Sequence, residues 1–202
     1  MRIPFVLSAG AALALAVAAM PAAALPQFYA TTLSGAAENP ANASLGSGAA
    51  VVTIDVSSLT MRVQTTFAGL SGLVTASHIH CCTAAPGNVG VATQTPTFSG
   101  FPLGGIFGSY DTTFDMSLAS SYNASFITAN GGTPVSAFAA LVTGLNAGRA
   151  YYNIHSSFAS GGEIRGFLAP VPEPESYALL LSGLAVVGWV ARRQKQRGDR
   201  AA

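Results

Sequence analysis

The chain has 202 residues, a formal net charge of +1 and 8% charged residues against 50% hydrophobic ones. Between residues 25 and 169 the only cations are Arg62, Arg149 and Arg165, set against Glu38, Asp55, Asp111, Asp115 and Glu163. So sparse and mildly acidic a segment excludes binding to nucleic acid or to an anionic membrane through a basic patch, and its length fits one domain.

At the N-terminus, Arg2 precedes an almost wholly apolar run over residues 3–19, and Ala22, Ala23 and Ala24 supply small residues for cleavage. This pattern predicts a secretory signal peptide over residues 1–24, removed by signal peptidase. The domain expected after it spans residues 25–169. Residues 27–33 read as a first strand and 49–56 as a second, with Ser57 and Ser58 as a tight connection. Leu59, Met61, Val63, Thr65 and Phe67 then alternate with Thr60, Arg62, Gln64 and Thr66, the period of two of a half-buried strand. After a break at residues 69–72, residues 74–80 read as another strand, and residues 107–116 as a further one.

Residues 117–127 read as a short helix. Thr133 and Pro134 look like an N-cap followed by proline at the first helical position. Val135, Phe138, Leu141, Val142 and Leu145 recur at helical spacing, and Gly148 suits a terminator. Residues 151–155 and 163–168 close the domain as a hairpin across the loop 156–162. Many short strands with glycine-rich turns predict an all-β antiparallel sandwich with one or two inserted helices.

Strand alternation sorts the polar residues. His78 and His80 share one face of their strand, and Tyr151, Asn153 and His155 share one face of theirs. Glu163 and Arg165 share a face with Phe167. Pairing of the last two strands would bring His155 near Glu163, since directly opposite Cβ atoms lie about 4.5–5.5 Å apart. The three histidines are the only ones in the chain. With Glu163 they form a candidate ligand set for zinc, copper or iron; the competing reading is a structural polar network. No nucleophile elbow, zinc-protease motif or phosphate loop is present, so no catalytic residue is assigned. Cys81 and Cys82 are adjacent. In an oxidising compartment they could form a vicinal disulfide, stay as thiols, bridge two chains or ligate metal.

The C-terminus begins with the proline-stiffened segment Val171, Pro172, Glu173 and Pro174, part of an expected linker over residues 170–176. An apolar run over residues 177–191 reads as a short transmembrane helix, with Trp189 near its end. A basic tail over residues 192–202 carries Arg192, Arg193, Lys195 and Arg197 and would face the cytoplasm. This order resembles the PEP-CTERM sorting signal. The resemblance implies recognition by an exosortase, removal of the tail, and a Gram-negative host that makes extracellular polysaccharide and biofilm matrix. The expected location is the periplasmic side of the inner membrane, then the cell surface or the medium.

A second resemblance runs through the domain. It is carried in order by residues 33–40 with Glu38, by Gly69 and Leu70, and by His78, Ile79 and His80. Residues 152–155 and Gly161 to Gly166 complete it. This pattern resembles the CHRD domain, with Cys81 and Cys82 replacing the glycine and proline usual in that family. The resemblance implies an immunoglobulin-like sandwich and no established enzymatic activity. Glu38, Asn153 and Arg165 are then motif residues with a structural role. The strand-borne His-x-His with a later histidine is also similar, as a fold, to copper/zinc superoxide dismutase. The function expected is a non-enzymatic surface or matrix module that binds polysaccharide or envelope proteins. The alternative is a metal-binding protein, with redox activity as one form of it, that uses the His/Glu cluster on the sandwich.

Overall fold

The computed structural model describes residues 25–172 and 174–198. The expected signal peptide and Glu173 lie outside the described residues. The domain is antiparallel and almost all β. Its strands are β1 (Gln27–Ser34), β2 (Ser47–Asp55), β3 (Thr60–Ala68), β4 (Val74–Cys81), β5 (Gly108–Asp115), β6 (Ala150–Ser156), β7 (Ile164–Phe167) and β8 (Ala169–Pro170). The helices are α1 (Ala124–Ala129), α2 (Pro134–Asn146) and α3 (Pro174–Gly198), with short 3-10 turns at Gly35–Ala37 and Ala119–Ser121.

Local chemistry explains most boundaries. The β2–β3 hairpin is in unbroken register from Ser47 opposite Ala68 to Asp55 opposite Thr60. Its turn forms because the Asp55 carboxylate accepts from the Ser57 and Ser58 amides. Leu59, expected to open β3, instead occupies the left-handed region at φ 53° and closes the turn. In β3 the alternation is realised, with Met61, Val63, Thr65 and Phe67 buried. The helix expected over 117–127 is split into the 3-10 turn and α1, because Asn123 caps a new start by accepting from the Ser125 amide. Thr133 caps α2 in a reciprocal box with Ser136, and Pro134 stands at its first turn. Ala137, Phe138, Leu141 and Leu145 of α2 are buried in the core.

The strands form one curled eight-stranded sheet in the order β4-β6-β7-β1-β2-β3-β5, with β8 pairing β1. Two separate sheets were the expectation. Here the halves β4-β6-β7 and β1-β2-β3-β5 join through the bridge between Ser34 and Arg165. The halves still face each other across one core. The Phe98 ring lies 6.1 Å from Tyr152 of β6 and 5.2 Å from Phe114 of β5. Val52, Val63, Ile79 and Ile154 complete that interior.

The C-terminal segment departs from expectation in one respect. Helix α3 is longer than the apolar run read for it. Yet among the described residues no helix is long and apolar enough to cross a membrane. The physical reason is length and dilution. The apolar run is short of the roughly 20 residues a span needs, it contains Ser182, Gly183 and Gly188, and it runs directly into Arg192 and Arg193.

Candidate metal centre

The site is built on the outer face of the β4-β6-β7 half. Ile79, Tyr152 and Ile154 point into the core, so their neighbours in sequence must point outward. The register sets His78 opposite Asn153 and His80 opposite Tyr151, while His155 stands opposite the small Ala76. That gap lets the His155 ring lean to His78, with ring centroids 4.9 Å apart. On the other side of β6, Asn153 faces Arg165 and Tyr151 faces Phe167.

This outer face is nonetheless buried. The segment between β4 and β5 folds back over it and supplies backbone acceptors. His78 Nε2–H donates to the Pro96 carbonyl (2.6 Å), and His80 Nδ1–H to the Val89 carbonyl (2.8 Å). His155 Nδ1–H donates to the Ser160 carbonyl in the β6–β7 loop (2.9 Å). A carbonyl can only accept, so these contacts define the tautomers. The remaining nitrogens, His78 Nδ1, His80 Nε2 and His155 Nε2, each carry a lone pair. One ligand nitrogen from each ring lies within 4.8 Å of the others. His78 Nδ1 and His155 Nε2 face each other at 3.2 Å, and His80 Nε2 is buried with no hydrogen-bond partner among the described residues.

Electrostatics keep the cluster unprotonated. Burial pushes His78 down to about 4; its hydrogen bond to Pro96 opposes this and the neighbouring His155 adds to it. Burial likewise lowers His80 to about 4 and depresses His155. The cluster is therefore three neutral imidazoles with converging lone pairs at neutral pH.

Glu163 is not part of this cluster. It lies just ahead of β7, and its carboxylate accepts from the Ser44 hydroxyl (2.5 Å), the Ser71 amide (2.5 Å), the Gly72 amide (3.2 Å) and the Ser156 hydroxyl. Burial would raise its pKa, but these hydrogen bonds outweigh that and hold it below the usual value. Glu163 is a knot that ties three loops together.

Arg165 clamps the cover of the site. Its guanidinium donates to the carbonyls of Ala37 and Pro86 and to Asn88 Oδ1. It also lies 3.6 Å from Glu38 Oε2 and stacks over Tyr151. Tyr151 in turn stacks beneath His80, with centroids 4.6 Å apart. Burial raises Glu38 to about 7, with Arg165 opposing. Gly162, at φ 136°, allows the close approach: a Cβ there would strike the Asn153 amide and Glu38. Cys81 and Cys82 are joined in a disulfide, which packs on Gly144 of α2, where a Cβ would overlap both sulfurs. Cys81 lies on the core face of β4, opposite the histidines, and takes no part in their cluster. The carbonyls of Val89, Pro96 and Ser160 carry no side-chain signal in the sequence.

Residues 29–168 match the CHRD domain model, and the chain belongs to that family. Residues 170–195 match the PEP-CTERM protein-sorting motif, the mark of an exported protein sorted by an exosortase. No curated protein and no solved structure matches the chain.

Proposed function

We propose that this exported CHRD domain binds one transition metal ion through His78, His80 and His155. The observation that supports it is the convergence of three buried imidazole lone pairs, each ring held by an outward N–H to a backbone carbonyl. Such anchoring orients imidazoles for metal and sets the ligating nitrogen. In a tetrahedral zinc site with Zn–N of about 2.0–2.1 Å the donor atoms stand about 3.3 Å apart. The 3.2 Å between His78 Nδ1 and His155 Nε2 matches this spacing. An all-imidazole set suits zinc or copper; the facial iron site needs a carboxylate, and Glu163 is engaged elsewhere. In this reading the protein is a metal-binding module of the cell surface or matrix, held at the inner membrane by its C-terminal segment until an exosortase acts.

Calorimetric titration of the metal-free protein with zinc and with copper(II) tests the reading. One equivalent is expected to bind, and affinity is expected to fall at least 100-fold in His155→Ala. Absence of binding, or binding that His78→Ala and His155→Ala leave unchanged, would overturn it.

A further inference from the structure

The domain buries two glutamates in opposite surroundings. Glu163 accepts hydrogen bonds from two amides and two hydroxyls. Glu38 is 8% exposed, and among the described residues no hydrogen bond reaches its carboxylate. Its neighbouring cation, Arg165, holds Nε 3.6 Å from Oε2 and donates instead to the Ala37 carbonyl. The other guanidinium nitrogens are engaged as well, Nη1 with Asn88 Oδ1 and Nη2 with the Pro86 carbonyl. A carboxylate buried without hydrogen bonds is costly, and taking up a proton removes that cost.

The proton has an acceptor at hand. Glu38 Oε1 is buried without a partner, and so is Asn153 Oδ1. Each lies 2.7 Å from the point where Gly162 would carry a Cβ, so the two oxygens border one space that a glycine leaves open. Two acceptors cannot satisfy each other, but a proton on one makes it a donor to the other. Burial pushing Glu38 up to about 7 agrees with this. The charged group bearing on Glu38 is Arg165 from β7, with Tyr151 of β6 and His80 of β4 stacked behind the guanidinium. Glu163 turns its carboxylate to Ser44, Ser71, Gly72 and Ser156. Residues 83–97, the cover of the histidine face, contain no charged residue.

We propose that Glu38 holds a proton on Oε1, donates it to Asn153 Oδ1, and by staying neutral leaves Arg165 free to clasp the cover of the histidine face. Loss of the proton creates a carboxylate beside the guanidinium. A charge-assisted pair is stronger than hydrogen bonds to neutral acceptors, so Arg165 turns from Pro86 and Asn88 to Glu38. The contacts it gives up hold the segment in which the Val89 amide donates to the Tyr151 hydroxyl and the Val89 carbonyl accepts from His80. The cover is closed below the midpoint of Glu38 and loosened above it. This latch acts on the cover alone and does not depend on what the histidines hold.

Carbon-13 NMR of the full-length protein labelled at the glutamate carboxyls tests the first step, with Glu38→Gln identifying the signal. A neutral Glu38 at pH 5 is expected, ionising with a midpoint near 7. Amide exchange across residues 84–92, corrected for its intrinsic pH dependence, tests the second step. Protection of the Gly87 and Val89 amides is expected to fall about ten-fold or more between pH 5 and pH 8. The fall should centre on the Glu38 midpoint in the parent and be absent from Glu38→Gln, whose amide mimics the neutral acid. A Glu38 already ionised at pH 5 would overturn the proposal and mean that the Asn153 amide sits the other way round, donating to a carboxylate. Protection that stays flat while Glu38 titrates, or falls equally in Glu38→Gln, would overturn it too.

Discussion

Glu163 and His155 end up in different jobs although the sequence sets them at the two ends of one hairpin. Alternation counts a residue's face only while it is inside a strand. Glu163 precedes β7 and follows Gly162 at φ 136°, so its side chain turns toward the Ser44 and Gly72 loops. Glu163→Gln removes acceptor capacity and adds a donor against amides that already donate. The variant is expected to lose about 2–3 kcal/mol of stability, read in urea unfolding, and to keep full metal stoichiometry. Loss of metal at unchanged stability would restore Glu163 as a ligand. The histidines set the pH response of the metal-free protein. Unfolded, they titrate near 6.5; folded, His78 and His80 titrate near 4. The unfolded chain binds more protons between those values, so stability should rise with pH from about 4 to 6.5. Glu38 acts in the opposite sense. Its folded value of about 7 lies above the ordinary 4.5, so its burial costs stability as pH rises through that window. Glu38→Gln should therefore raise the melting temperature relative to the parent more at pH 8 than at pH 5; an equal effect at both would contradict this.

Elements governed by short-range chemistry were readable in the sequence. The alternation in β3 and the Thr133-Pro134 start of α2 both appear as expected, because hydroxyl capping and pleat alternation act within a few residues. Thr133→Ala is expected to cost about 1 kcal/mol, measured as a lowered unfolding midpoint. What the sequence did not disclose is the cover on the histidine face. Val89, Pro96 and Ser160 contribute only carbonyls, and a backbone acceptor leaves no residue-type signal. The same holds for the seat of the disulfide. Nothing local in α2 announces that Gly144 must lack a Cβ, yet Cys81 and Cys82 rest against it. Gly144→Ala should gain helix propensity but lose more by overlap, for a net loss of about 1–3 kcal/mol; a stabilised variant would mean the helix and disulfide do not pack this way.

Across the whole molecule, the two faces of the β4-β6-β7 half differ in character. The inner face is a conventional apolar core. The outer face of β4-β6-β7 carries one buried polar layer that runs from Glu38 and Arg165 through Tyr151 to the histidines. If that layer exists to hold an ion, the ion is linked to folding. A metal present at about 100 times its dissociation constant adds about 2.7 kcal/mol, and chelation should lower the melting temperature by about 5 °C or more. The measurement that bears most directly on this account is the metal content of the exported, tag-free protein by plasma mass spectrometry. Close to one equivalent of zinc or copper is expected, absent from the variant in which His78, His80 and His155 are all alanine. Protein that is isolated empty and takes up neither metal on addition would contradict it, leaving the three histidines as a purely structural layer.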